Sequence, residues 1–378
     1  MIMYFADAHV GHRMYQSMTD DGITTAEKDT RVALDYLYER MQEPEIELVI
    51  FGGDLFNSSR PSAESIRWII QWFKKVDALN KPLYLIPGNH DITATSNALV
   101  FLRSLHVSNI FLIDKSASKI AWNSWNIYFV PFMNPESSKN KYATTMASLS
   151  SVLQSLDKNA DNIIVTHVQE VDSKIGAESM LFSRNGDIID LGESTDQYKN
   201  TVVLSGHMHM PQAYQKANGI RVIYPGSTCS MDQHDCGQKK GYITFSKDGE
   251  IDFKPVFGTR LFKRYSLPTG KDPKEFFSSI RMSNNEVIFI ELNDDTIVDE
   301  SEIREYLQTR GCQLAKVLPK LSDDRNVSVR TAAKNPVTLL ENWLKDFFKE
   351  EEKEVDWKNK VLPLGKEILL NETEFTGD

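Results

Sequence analysis

The feature that most constrains this chain is a set of five short apolar runs, each ending in side chains able to bind a metal ion. Met1-Ile2-Met3-Tyr4-Phe5 leads to Asp7-Ala8-His9, and Leu48-Val49-Ile50-Phe51 leads to Gly52-Gly53-Asp54. Residues 83–86 lead to Gly88-Asn89-His90-Asp91, residues 163–166 to His167, and residues 202–204 to Gly206-His207-Met208-His209. Runs this short and this rich in β-branched and aromatic residues read as buried strands. Between the first three lie two helical patterns. Leu34, Leu37 and Met41 share a face over residues 26–41, and Ile66, Ile69, Phe73 and Val76 share one over residues 62–79, with Pro61 near its start. The order β-α-β-α-β implies a largely parallel sheet with helices on its faces. In such sheets, sites assemble at the carboxyl ends of the strands, so the ligand-bearing ends are expected to meet.

The rest of the chain supports one large domain followed by smaller modules, as its 378 residues would suggest. Strands are expected at 110–113 and 126–132, a helix over 142–156, and a polar surface excursion over 168–200. A further strand at 221–224 ends at Pro225-Gly226-Ser227, and residues 242–245 and 251–253 form a terminal hairpin around Asp248-Gly249. From about Thr259 strand and helix patterns alternate in a compact unit that contains no histidine. The predicted division is a domain at 1–258, an α+β module at 259–320, a polar linker at 321–335 and a helical segment at 336–378. In the last segment Asn335-Pro336 supplies a cap and a first helical residue, and Leu340, Trp343, Leu344, Phe347 and Phe348 make one apolar face.

Composition removes some function classes. No apolar run approaches the roughly 18 residues of a membrane span, and the N-terminus lacks the basic region of a signal peptide. Cys229, Cys236 and Cys312 form no CxxC pair, which fits a reducing cytoplasm. The formal net charge of −10 opposes a free-standing DNA binder, because phosphate contacts supply most non-specific affinity. It opposes a nuclease less, since bound metal ions bring their own positive charge.

The donors are carboxylate, amide oxygen and imidazole. Such a mixed nitrogen and oxygen set suits manganese, iron or zinc better than calcium or magnesium. Asp7, His9, Asp54, Asn89, His167, His207 and His209 are too many for one tetrahedral ion and suit two ions sharing a carboxylate. Two ions about 3.5–4 Å apart can clamp a phosphate and activate a water. Taken singly, Asp7 reads as a helix cap and Asn89 as a turn residue; the order of all five motifs is what outweighs those readings.

That order, D-x-H, G-G-D, G-N-H-D, H, G-H-x-H, resembles the calcineurin-like dinuclear metallophosphoesterase superfamily. Within it, the stretch from Gly53 to Ser62 (GDLFNSSRPS) and the stretch from Val222 to Ser227 (VIYPGS) are similar to the SbcD nuclease family. This is the nuclease half of a nuclease–ATPase complex that processes double-strand breaks. The resemblance implies a β-sandwich core flanked by helices, with a small capping domain that steers DNA at 259–320. It implies that Asp7, His9, Asp54 and His209 hold one ion, and Asp54, Asn89, His167 and His207 the other, with Asp54 the bridge. His90 would face the scissile phosphate as a catalytic group, and Asp91 would orient His90 or its loop. The two ions would most often be Mn2+, and the partners would be DNA ends, single strands and a second copy of the chain. An SbcC-type coiled-coil ATPase would dock on residues 336–370.

Two other functions share these residues. A phosphatase or small-molecule phosphodiesterase would use the same metals, and usually places an arginine soon after the bridging Asp; here the nearest is Arg60. A non-catalytic scaffold would keep the fold but lose ligands, and none is lost here. Of the remaining histidines, His12 is open between the site mouth and a surface loop, His106 reads as structural and His234 is undecided.

Overall fold

In the computed structural model the described residues are 1–319, apart from 16, 20–21, 94, 134–143, 175–187, 193–196 and 293–297. The chain divides into two compact units, Met1–Ser322 and Asp323–Asp378. The predicted linker and C-terminal helical segment lie outside the described residues.

The first strand, β1 (Ile2–Phe5), pairs in parallel with β2 (Leu48–Phe51), which pairs in parallel with β3 (Leu83–Leu85), and that with β4 (Ile110–Leu112). The connections are α1 (Thr25–Met41) and α2 (Ala63–Asp77). Each helix starts at a hydroxyl cap: Thr24 accepts the N–H of Glu27 at 3.1 Å, and Ser62 that of Ser65 at 3.1 Å. Pro61 therefore stands before the cap of α2 and does not open the helix. The two faces of β1 separate cleanly. Met3 and Phe5 pack with Leu34, Leu37, Ile69 and Phe73 of the helices, whereas Ile2 and Tyr4 point into the layer on the other side.

The chain then builds a second sheet. β5 (Ser118–Trp122) and β6 (Trp125–Phe129) form a hairpin, and β6 pairs in parallel with β7 (Asp161–His167). Helix α3 (Thr145–Ser155) lies between them in sequence. After a short pair, β8 (Gln169–Glu170) and β9 (Ile188–Ile189), β10 (Asn200–Gly206) joins β7 in parallel. β11 (Gln212–Gln215) and β12 (Arg221–Tyr224) complete this sheet, and β13 (Gly241–Phe245) with β14 (Ile251–Pro255) returns to the first. The sheet orders are β14-β13-β1-β2-β3-β4 and β11-β12-β10-β7-β6-β5. Ile2, Tyr4, Ile50 and Phe245 of one meet Trp125, Phe129, Val165 and Leu204 of the other in a dry layer. Ile164, Val203 and Val222 on the outer face of the second sheet pack with Leu149 and Val152 of α3. The result is a sandwich of two sheets with helices on both outer faces.

A third sheet, β15 (Leu261–Leu267), β16 (Glu286–Leu292) and β17 (Gln313–Pro319), is parallel throughout and carries α4 (Pro273–Ser279) and α5 (Glu300–Thr309). Phe277, Ile303 and Leu307 cover one face, against Ile288, Ile290 and Leu314. The other face, with Phe262 and Phe289, receives Tyr15. At this seam Arg260 is buried. Its Nε donates to Asp29 of α1 at 2.6 Å, and its Nη1 to Tyr15 O at 2.9 Å and Gln313 Oε1 at 2.7 Å.

Two sequence expectations need correction. β5 and β11 fall in stretches where no strand was expected, because both are edge strands with only half-buried side chains. The excursion at 168–200 is not wholly superficial: Gln169 and Glu170 are buried, and Glu170 accepts from buried Lys216 at 2.6 Å.

Candidate metal centre

The parallel strands β1, β2 and β3 end on the same edge as β7 and β10 of the facing sheet. The backbone then turns over sharply. Asp7, His9, Asp54 and His207 all adopt left-handed φ, between 48° and 83°. Non-glycine residues hold this conformation at a cost of about 1–3 kcal/mol each, and such strain concentrates at functional sites. The glycines beside them make room. A Cβ on Gly53 would lie 2.5 Å from His167 Nδ1, and one on Gly206 would lie 2.5 Å from Gly52 O.

All seven predicted ligands converge. Asp54 Oδ2 stands 3.6 Å from His9 Nε2 and 3.2 Å from His167 Nε2, between one histidine of each predicted set. His9 Nε2 lies 3.1 Å from His209 Nε2 and 3.9 Å from Asp7 Oδ1. Asn89 Oδ1 lies 3.1 Å from His167 Nε2 and 2.9 Å from His207 Nδ1. Among the described residues three groups have donor atoms within 4.8 Å of one another: Asp7, His9 and His209; His9, Asp54 and His90; Asp7, Asp54 and His167. Asp7 therefore reaches both sides, and it also accepts the backbone N–H of His207 at 3.0 Å.

The donor set fits divalent cations for a specific reason. His167 Nδ1 lies 2.8 Å from Gly52 O, and a carbonyl only accepts, so Nδ1 carries the proton. In the neutral ring, Nε2 is then a bare lone pair aimed at two oxygens, Asp54 Oδ2 and Asn89 Oδ1. Such a cluster of acceptors needs either an extra proton or a cation. His9 Nδ1 and His207 Nε2 are buried without a hydrogen-bond partner.

Without an ion, these groups trade charge among themselves. Burial works against charge on His167, but the carboxylates of Asp54 and Asp7 overcome it and push this histidine up to about 10. Burial favours the neutral form of Asp54; the charge on His167 and its hydrogen bond outweigh that, and the Asp54 carboxyl is held well below the ordinary range. Burial pushes Asp7 up to about 6, while burial and nearby His167 push His207 down to about 3. His9 is also lowered by burial.

His90 and Asp91 take different places. The His90 ring lines the cavity, with Nδ1 held 3.0 Å from Asn57 O. Asp91 is fully buried. It accepts backbone N–H groups from Gly88 at 3.0 Å, Leu55 at 3.2 Å and Phe56 at 3.0 Å. Asp91 thus braces the loop that carries Asp54 against the loop that carries His90. Burial and then Asp54 push its carboxyl up to about 7, against those N–H donors.

Above the ligands opens a cavity of about 270 Å³. Its lining includes Asn57, and it settles two of the open histidines: His12 is buried, with its Nε2 3.2 Å from Met231 O, and His234 also lines it. His106 is exposed and is not among the lining residues. Arg13, Asp235 and Gln238 line the cavity without having been singled out in the sequence. No local pattern marks them, since charged and polar residues in loops ordinarily face solvent.

Acidic and imidazole side chains gathered at the carboxyl ends of two packed sheets make a candidate metal centre. The chain belongs to the calcineurin-like phosphoesterase superfamily, whose domain model matches residues 1–246. The DNA double-strand break repair protein Mre11 of Methanosarcina mazei is 23% identical over 330 residues, which cover 84% of this chain and 49% of that protein. The chain thus spans about half the length of that curated relative. A crystal structure of a dimetal phosphatase from Danio rerio is similar over 64% of this chain and 90% of its own, with 9% identity and a TM-score of 0.38. Among the described residues no helix is long and apolar enough to cross a membrane.

Proposed function

We propose that this chain is an SbcD-type DNA nuclease that hydrolyses phosphodiester bonds with two divalent ions, Mn2+ by preference. The observation that carries the reading is the placement of Asp54 Oδ2 between His9 and His167, with His90 at the cavity wall beside them. The similarity to Mre11 supports a nuclease over other members of the superfamily, because it extends over 330 residues where the domain model matches 1–246.

In this proposal Asp7, His9, Asp54 and His209 hold one ion, and Asp54, Asn89, His167 and His207 the other. Two ions held there would lower the pKa of a water and neutralise charge on the phosphate. His90 does the remaining proton work. Asn57 O accepts from Nδ1, so it is the imidazolium form of His90 that would have a proton on Nε2 to donate to a phosphate oxygen or to the departing one. The third sheet would act as a capping domain that steers DNA, and the chain would work as a homodimer in DNA repair and recombination. An SbcC-type ATPase would bind residues 336–370, which lie outside the described residues. The three free thiols fit a reducing cytoplasm.

The test is hydrolysis of labelled duplex and single-stranded DNA by purified protein with Mn2+, alone and with the ATPase, against a chelator control. Cleavage of DNA that stops with chelator is expected. Hydrolysis of phosphomonoesters alone would favour the second reading, a metal-dependent phosphatase or small-molecule phosphodiesterase, for which the modest cavity of about 270 Å³ speaks. For the partner, Trp343→Ala with Phe347→Ala is expected to abolish co-purification with the ATPase and to spare single-strand cleavage.

A further inference from the structure

Behind His209 lies a buried cation with no part in the chemistry described so far. Lys240 stands one residue before β13 and is 5% exposed. Its ammonium has three N–H donors, and three acceptors surround it: His209 O at 2.8 Å, Gln238 Oε1 at 3.0 Å and a carboxylate oxygen of Asp235. Lysine is almost never buried to this extent unless paired.

Each contact leads to the cavity. The second oxygen of Asp235 accepts the backbone N–H of Met231 at 2.7 Å and of Asp232 at 3.2 Å. Gln238 Nε2 donates to His234 O at 2.7 Å. Met231, Asp232, His234, Asp235 and Gln238 all line the cavity, so Lys240 is the joint on which this wall is hung. The third contact is of another kind. The peptide oxygen of His209 receives the ammonium and also the N–H of Ser227 at 3.2 Å. The segment carrying His209 is thus gripped while its ring stands 3.1 Å from His9 Nε2.

We propose that Lys240 is a positioning residue of the metal centre: its ammonium holds the backbone of His209 so that the ring meets the ion shared with Asp7 and His9, and anchors the 231–238 wall to the same point. The proposal rests on His209 being a ligand, and the test separates the two.

Mn2+ is titrated by calorimetry into the full chain as wild type, His209→Ala, Asp235→Asn, and the double variant Lys240→Met with Asp235→Asn. The wild type is expected to bind two ions and His209→Ala to weaken one of them. The double variant leaves no charge unpaired, so it is expected to unfold cooperatively while binding the same ion about 10–100-fold more weakly, the usual effect of removing a group that orients a ligand. Asp235→Asn alone leaves the His209 carbonyl as an acceptor for Lys240, so it is expected to be less stable, with one buried charge unpaired, yet to bind both ions as the wild type does. Wild-type affinity for both ions in the double variant overturns the proposal. So does an equal loss in Asp235→Asn, which would assign the effect to the wall alone. Loss of cooperative unfolding in the double variant overturns it too, by making the pair a requirement of the fold. Two intact ions in His209→Ala, or fewer than two in the wild type, overturn the ligand reading and the proposal with it.

Discussion

The backbone N–H of His90 donates to Oδ1 of Asp54 over 2.8 Å. That bond occupies one carboxylate oxygen and leaves Oδ2 facing His9 and His167, at 3.6 Å and 3.2 Å. The proposed bridging ligand and the proposed proton donor are therefore set by one contact between two loops. Asp91 reinforces it from below, by accepting N–H groups from both loops.

Asp54→Ala is expected to empty both ion sites, because the same oxygen serves both ligand sets. Mn2+ titration would show no high-affinity site and DNA cleavage would be lost. Retention of one site at wild-type affinity would mean that Asp54 serves a single ion.

His90→Gln is expected to lower cleavage by about 10²–10⁴-fold, the usual contribution of a positioned acid or base. Both ions should remain bound at wild-type stoichiometry. Because His90 also falls within a group that includes His9 and Asp54, loss of an ion in this variant would recast it as a ligand.

Loading the centre should release protons at pH 8. In the metal-free protein His167 is raised to about 10, with burial opposed and outweighed by Asp54 and Asp7. The stability this imidazolium contributes is fully present below its unfolded pKa of about 6.5 and is lost as pH rises through about 10. A bound ion takes the place of that proton, so affinity should rise with pH across this window. Asp7, raised to about 6, is already ionised at pH 8 and does not confuse the count. Calorimetry in two buffers of different ionisation enthalpy measures the release, and identical heats in both would refute it.

Arg260→Met should destabilise the protein by about 3–5 kcal/mol, the penalty for leaving one partner of a buried pair alone. Asp29 is buried, and burial already raises its carboxyl despite Arg260. Adding Asp29→Leu should recover much of the loss. Urea denaturation of the single and double variants decides the matter, and equal loss in both would mean the bonds to Tyr15 and Gln313 dominate.

Much of this protein could be read before its structure was seen. The continuous apolar run of β1 and the helical spacing in α1 and α2 follow from local composition and periodicity, and the candidate ligand types stand openly at the strand ends. Local pattern failed at edge strands such as β5, where pairing with β6 and not burial makes the strand.

The sequence by itself determined which side chains were available as ligands and that parallel strands would bring their ends together. Those properties depend on residue type and on the period of the hydrophobic pattern. Only the tertiary structure decided that Asp54 turns one oxygen to His90 and the other to two histidines. It alone decided that Lys240 is buried behind His209 while its neighbour Lys239 is exposed. These outcomes depend on contacts between residues far apart in the chain, such as Lys240 with His209 and Asp54 with His167. No local period encodes such distances; they arise when two sheets pack face to face.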